Sequence, residues 1–241
     1  MTRVSFVCGL SILESGVAVL LDVAGLCKAY GSLTAVDGVS FQVAGGEAFG
    51  LLGPNGAGKS TTMMMIAGLL DADAGTVQLR GQAMLRRQPS SRQELGFVPQ
   101  DLAIYPDLTA RENLQFFGRL YQLSGALLQE RIKGALEQTG LSGRADDYAG
   151  HFSGGMKRRL NFAAAILHQP ALLILDEPTN GLDPAGREEM LALIARTGRA
   201  FGMSVIVSSH LLGELERICD GVVVLDRGRL VRAERLGVLT G

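Results

Sequence analysis

The segment Gly53-Pro-Asn-Gly-Ala-Gly-Lys-Ser60 constrains this chain more than any other. Three glycines and a proline fall within six residues, directly behind the apolar stretch Ala48-Phe-Gly-Leu-Leu52. Glycine loses more conformational freedom on folding than any other residue, so such a cluster needs a reason. A turn between two elements accounts for the glycines but not for Lys59 and Ser60 at their spacing. A loop whose backbone N–H groups converge on one anion accounts for all of them. Glycines let consecutive amides turn inward, and a helix that follows adds the positive end of its dipole. Gly-x4-Gly-Lys-Ser between a strand and a helix is the phosphate-binding P-loop, in which the lysine reaches the β- and γ-phosphates and the serine hydroxyl holds Mg2+. Taken as an exposed loop residue, Lys59 contributes little to folding.

A phosphate loop does not by itself hydrolyse anything; phosphoryl transfer also needs charge stabilisation and an oriented water. Leu172-Leu-Ile-Leu-Asp-Glu-Pro178 supplies two carboxylates at the end of a buried strand. Ligands of parallel sheets bind beyond the carboxyl ends of the strands. Asp176 there suits Mg2+, and Glu177 suits the attacking water. A polar strand end before a proline turn explains either acid alone, but not the pair. In Phe152-Ser-Gly-Gly-Met-Lys-Arg-Arg-Leu160, three cations crowd the first turns of an expected helix, where they oppose its dipole. A solvated basic face is one explanation. An anion at the helix start, met by Ser153 and the open backbone of Gly154 and Gly155, is the other.

The rest of the chain supplies the scaffold. From Val19, short apolar runs split by Gly and Asp-Gly read as strands and turns. A helical pattern begins after Lys59 and runs over Thr61–Leu70. Thr109 with Glu112 three residues on forms a capping box, and a second helix is expected over Leu127–Thr139, closed by Gly140. A third follows Ser153-Gly-Gly. Ala171–Asp176, Met203–Ser209 and Gly221–Asp226 are continuous apolar runs, as strands buried on both faces are, and Pro184–Ala200 reads as a helix with Pro184 at its first position. Strands alternating with helices imply a parallel sheet in an α/β core.

Composition narrows the function classes. The formal net charge is −1 and only 5% of residues are aromatic, so neither a basic stripe nor a base-stacking platform marks a nucleic-acid binder. Cys8, Cys27 and Cys219 form no CxxC and read as reduced thiols. With only three histidines, a His/Cys metal cluster is not expected. Residues 1–18 carry the apolar run Val4–Leu13 without a clear cleavage site and read as a non-essential extension. No apolar stretch reaches the roughly 20 residues of a membrane span.

Together these motifs resemble the nucleotide-binding subunit of an ATP-binding cassette (ABC) transporter, over roughly Val19 to the C-terminus and in the family's order. The P-loop is Gly53, Pro54, Asn55, Gly56, Ala57, Gly58, Lys59, Ser60 and Thr61. Phe97-Val-Pro-Gln-Asp101 matches the glutamine loop, Ser153-Gly-Gly the signature motif, Gly181-Leu-Asp-Pro184 the D-loop and Ser208-Ser-His210 the switch histidine. The resemblance implies a P-loop NTPase fold of class α/β with a mixed or parallel sheet, an N-terminal antiparallel β subdomain, and a helical insertion at approximately 101–165 of a domain spanning 19–241. It implies ATP and Mg2+ as cofactors, with Ser60, Gln100 and Asp176 toward the metal and Glu177, His210 and Gln100 in catalysis. Tyr30 takes the place of an aromatic that stacks on adenine, and Ser153, Gly154, Gly155 and Asp183 complete a nucleotide site across a head-to-tail dimer, with an identical or a related chain.

It further implies a permease on a separate chain and a cytoplasmic, membrane-peripheral location. Two departures stand out: Phe152 and Met156 occupy positions where the family usually has Leu and Gln. The form Ser-Gly-Gly-Met-Lys-Arg-Arg-Leu, with Glu177-Pro-Thr-Asn-Gly-Leu-Asp-Pro184 after it, is similar to subunits paired with ABC-2-type export permeases. The competing reading is a soluble ABC ATPase acting on nucleic acid or in assembly, and a third is a nucleotide-binding scaffold without turnover. The single cassette, the absence of a heptad run and the intact Glu177 and His210 favour the transport ATPase.

Overall fold

The computed structural model describes residues 18–86 and 93–236, so the extension expected at 1–18 lies almost wholly outside the described residues. The first two strands, β1 (Val19–Tyr30) and β2 (Leu33–Ala44), are twelve residues each. Here the expectation of short runs split by turns is corrected: Gly25 and Gly38, at φ +62° and +69°, sit inside the strands as bulges. Pairing runs Val23 to Phe41, Leu26 to Val39 and Lys28 to Val36, so each strand bulges by one residue at its own glycine and the register recovers. The strands stay continuous because the left-handed residue is absorbed locally.

β3 (Ala48–Leu52) leads through the glycine loop into α1 (Lys59–Ile66). This helix starts two residues before the expected one and stops earlier, with Gly68 at φ +63° just beyond it. β4 (Ala74–Leu79), β5 (Gln82–Ala83) and β6 (Leu95–Val98) follow. α2 (Ala110–Leu120) has both bonds of its capping box: Thr109 Oγ1 accepts from Glu112 N–H at 3.1 Å, and Glu112 Oε2 accepts from Thr109 N–H at 2.8 Å. α3 (Gly125–Gln138) ends before Gly140, which has φ +66°. Next come α4 (Gly154–Ile166), β7 (Leu172–Leu175), α5 (Pro184–Phe201), β8 (Ser204–Ser209), α6 (Leu212–Leu215), β9 (Gly221–Asp226) and β10 (Arg229–Arg235).

Two sheets result. An antiparallel sheet has the order β2-β1-β4-β5, and a mixed six-stranded sheet has the order β10-β9-β3-β8-β7-β6. In the larger sheet every pairing is parallel except β9 with β10. Side-chain alternation divides its strands between two cores. Phe49, Leu51, Leu172, Ile174, Ile206, Val223 and Leu225 pack with α1 and the antiparallel sheet. Leu173, Leu175, Val205, Val207 and Val222 pack with the α2–α5 side. Both faces are covered, which is why these strands read as unbroken apolar runs. Because β6, β7, β8 and β3 are parallel neighbours, the residues just past their carboxyl ends gather along one edge of the sheet: Gln100, the Asp176–Glu177 pair, His210 and the glycine loop.

Candidate functional site

The loop from Gly53 to Gly58 leaves β3 and turns at once into α1. Two of its glycines are sterically required. A Cβ on Gly53 would lie 2.4 Å from the Leu225 carbonyl oxygen, and one on Gly58, at φ +97°, would lie 2.5 Å from the Ala35 oxygen. Gly58 caps α1 and, among the described residues, no side chain caps the helix start, which leaves the opening amides of the helix to a ligand.

Lys59 corrects the expectation of an exposed loop residue. It is buried, and its Nζ donates to the Gly53 carbonyl at 2.7 Å and the Pro54 carbonyl at 3.1 Å. The same ammonium stands 3.1 Å from Glu177 Oε1. Glu177 in turn places Oε2 3.4 Å from His210 Nδ1. A three-membered line Lys59–Glu177–His210 therefore joins the ends of β3, β7 and β8. Glu177 occupies left-handed backbone space at φ +45°, a conformation that costs a non-glycine residue of order 1 kcal/mol or more and that clusters at functional sites.

Its neighbour Asp176 is buried, with Oδ1 accepting from Ser208 Oγ at 2.7 Å, while Ser208 Oγ accepts from Glu177 N–H at 2.8 Å. Behind them, Glu214 Oε2 accepts from both Thr179 Oγ1 at 2.9 Å and Ser209 Oγ at 2.7 Å. The loops after β7 and β8 are thus cross-braced twice.

An open cleft of about 610 Å³ lies over the glycine loop, within the size range of small-molecule sites. Asn55, Gly56, Gly58, Lys59, Ser60 and Thr61 line it from the loop and the start of α1, and Gln100, Glu177, Tyr30 and Ala35 add to its wall. Tyr30 is half exposed on that wall rather than packed in the core, and Lys28 Nζ lies 5.9 Å from its ring centroid. Ser153, Gly154, Gly155 and Asp183 do not line the cleft. Ser153 caps α4, its Oγ accepting from Met156 N–H at 3.3 Å, and Asp183 caps α5, its Oδ1 accepting from Gly186 N–H at 3.1 Å.

Two of the three cations that follow Ser153 have partners in their own chain. Arg158 donates to the Gln100 carbonyl at 2.7 Å and the Asn180 carbonyl at 2.8 Å, and Arg159 reaches the Thr139 carbonyl at 3.4 Å. Burial holds the Arg158 guanidinium below its ordinary pKa, with Asp101 working the other way. An external anion is therefore not needed to explain why Arg158 and Arg159 sit near a helix start. Gly154 and Gly155 still carry information: a Cβ on Gly154 would meet nothing within 4 Å, and one on Gly155 only Leu182 Cδ2 at 4.0 Å. Packing among the described residues asks for neither glycine.

Sequence reasoning missed Glu214, Ala35 and Arg227, and gave Ser208 no role beyond its place in the Ser208-Ser-His210 motif. Ala35 and Arg227 enter the cleft wall from β2 and the β9–β10 turn, where Gly228 N–H donates to the Ala57 carbonyl at 3.0 Å. No local motif marks them, because strand pairing alone brings them to the loop.

Comparison with known proteins decides the family. The profile of the ABC transporter family matches residues 36–180. The chain belongs to the ABC transporter family. Among curated relatives, this ABC chain is 45% identical over 212 residues to the linearmycin resistance ATP-binding protein LnrL of Bacillus subtilis (strain 168), covering 88% of the chain and 68% of that protein. It is 44% identical over 212 residues to the Nod factor export ATP-binding protein I of Ralstonia nicotianae, covering 88% of the chain and 66% of that protein. The chain thus spans about two thirds of the length of these relatives. The solved structure of cbiO1 from Clostridium perfringens superposes with a TM-score of 0.83 at 28% identity, covering 90% of this chain and 88% of that one. The ABC chain is accordingly an ATP-binding ATPase domain with the α/β P-loop fold.

Proposed function

We propose that this ABC ATPase hydrolyses MgATP in the cleft over Gly53–Thr61 and that turnover drives export through an ABC-2-type membrane permease on a separate chain. The carrying observation is the convergence of Lys59, Glu177 and His210 beside a loop built to hold phosphate. The ATP phosphates sit against the amides of the loop and the start of α1, and the adenine lies toward Tyr30. Lys59 is already anchored to two carbonyls, so the phosphates take the place of Glu177 as its counter-anion. Glu177 is then left to orient the attacking water, with His210 at its other oxygen on the γ-phosphate side.

The residues also fit Mg2+, which prefers a few hard oxygen donors together with substrate phosphates. Ser60 and Gln100 line the cleft, and Asp176 has Oδ1 committed to Ser208, which leaves its second oxygen for the cation. Ser60, Gln100 and Asp176 would hold the ion, which would supply positive charge against the phosphates.

Two further parts belong to the same reading. Open space over Gly154 and Gly155 favours close approach by a second molecule, so Ser153, Gly154, Gly155 and Asp183 complete the ATP site of a partner subunit in a head-to-tail dimer. The exposed rings of Tyr105 and Phe116, packed edge to face at 4.9 Å, with exposed Leu120 nearby on α2, form an apolar surface for the permease. A cytoplasmic position beneath the membrane follows from that docking. The names of the two relatives, one of resistance and one of export, favour outward transport. Among the described residues no helix is long and apolar enough to cross a membrane. The reading is tested by calorimetry of ATP binding and phosphate release by the purified chain: wild type binds and turns over ATP, whereas Lys59→Ala does neither. Equal ATP affinity in the two proteins contradicts it.

A further inference from the structure

We propose that Ser208 is a positioning residue for hydrolysis, whose one hydroxyl sets the metal-facing carboxylate of Asp176 and the backbone of Glu177 together. The inference rests on the ATPase reading above and deepens it. Register places Leu175 opposite Val207, so Ser208 lies level with Asp176 where β7 runs out. The side chain is fully buried, directly after the run Val205-Ile-Val207 that packs both faces of the sheet. An apolar residue would satisfy that packing. A hydroxyl there must answer to its polar neighbours, and both bonds are well formed: 2.7 Å to Asp176 Oδ1 and 2.8 Å from Glu177 N–H.

The direction of each bond is fixed. Serine has one proton to donate and lone pairs to accept with. A backbone N–H can only donate, so Ser208 accepts from Glu177 and gives its own proton to Asp176. A donor committed to a carboxylate makes the short, charge-assisted kind of bond, and its polarisation strengthens the bond that it accepts. Two consequences follow for the two acids. Asp176 cannot rotate without breaking its bond to Ser208, so its second oxygen is aimed. Glu177 is held in left-handed space at φ +45° from its amide side by Ser208 and from its carbonyl side by Asn180 N–H at 3.1 Å. Neither of the two Ser208 bonds is made to a residue of the phosphate loop.

The test compares Ser208→Ala and Ser208→Thr with wild type by calorimetry of ATP binding in EDTA and in Mg2+, and by steady-state turnover. Groups that orient a metal ligand change metal affinity or activity by about tenfold or more when removed. In Ser208→Ala the ATP affinity in EDTA is expected to stay at the wild-type value, while the gain in affinity from Mg2+ and the kcat each fall by about tenfold. Ser208→Thr, which keeps the hydroxyl, restores both. Binding stoichiometry reports the folded fraction, so partial unfolding lowers the number of sites rather than the affinity. A Ser208→Ala protein with wild-type Mg2+ gain and kcat overturns the proposal, as does one that loses affinity equally in EDTA and Mg2+, which marks a packing role. Failure of the wild type to bind ATP at all would remove the ATPase reading instead.

Discussion

Lys59 Nζ and Glu177 Oε1 stand 3.1 Å apart, with side chains 4% and 9% exposed, and so form an ion pair almost shut off from water. The lysine of the phosphate loop and the acid assigned to water are thus one electrostatic unit. Breaking a buried pair by removing one partner strands the other charge, which costs about 3–5 kcal/mol.

Lys59→Ala is therefore expected to destabilise the fold as well as abolish nucleotide binding. A loss of about 3 kcal/mol lowers Tm by ~6–12 °C in a chain of this size. Scanning calorimetry without nucleotide checks it, and an unchanged Tm contradicts the buried pair.

His168 gives the fold a built-in acid sensitivity. Its ring stacks on Tyr121 with centroids 3.6 Å apart and its Nε2 lies 3.1 Å from the Leu95 carbonyl oxygen, which ties the end of α2 to β6. Burial pushes its pKa from the ordinary 6.5 down to about 4, and the bond to Leu95 opposes that shift. Between those values the unfolded chain binds the proton and the folded chain does not. The contribution to stability is whole above pH 6.5, declines as pH falls toward about 4, and has a slope of at most about 1.4 kcal/mol per pH unit. His168→Phe keeps a stacking ring and removes the titration. Urea midpoints at pH 7.5 and 5 should drop less in that variant than in wild type; parallel drops contradict the buried neutral histidine.

Tyr105 is held through its backbone, while its ring packs at the surface against Phe116 and Phe117. Its N–H donates to Asn113 Oδ1 at 2.8 Å and its carbonyl accepts from Asn113 Nδ2 at 2.9 Å, while the side chain remains 47% exposed. Tyr105→Glu is thus expected to fold and to hydrolyse ATP as the isolated subunit while losing transport with its permease. Loss of ATPase activity in the isolated variant would show that the ring supports the fold instead.

The partition of what was legible follows from where each contact is made. The glycine loop, the acid pair, the capping box of α2 and the cap at Ser153 are contiguous in the chain, so residue type and spacing disclose them. Unbroken apolar runs disclosed a sheet covered on both faces. Contacts made across strands or between loops were not legible. Ser208 reaches Asp176 only because β7 and β8 pair in one register, and Arg158 meets Gln100 and Asn180 only after α4 packs beside both loops. The basic run therefore read as either a solvated face or an anion site, whereas two carbonyls of its own chain meet Arg158. Gly25 and Gly38 read as turns because opposed bulges leave the same local mark as a break.

The shared-site dimer is tested through Ser153. With hydrolysis blocked by Glu177→Gln, ATP is expected to hold two chains together in light scattering. Adding Ser153→Arg, at an exposed cap whose neighbouring glycines face open space, should return the species to monomer while ATP stays bound to the loop. A dimer that persists with Ser153→Arg contradicts the head-to-tail arrangement.

The central claim is that Glu177 orients the lytic water in a cleft whose nucleotide is held by other groups. Its most direct test is single-turnover hydrolysis of MgATP by wild type and Glu177→Gln, with ATP affinity measured on the same preparations. The substitution keeps the shape of the side chain and removes the charge that Lys59 and His210 face. Hydrolysis is expected to be slower by ~10²-fold or more, on the scale of general acid–base catalysis, with ATP affinity retained. Hydrolysis near the wild-type rate in Glu177→Gln would contradict it.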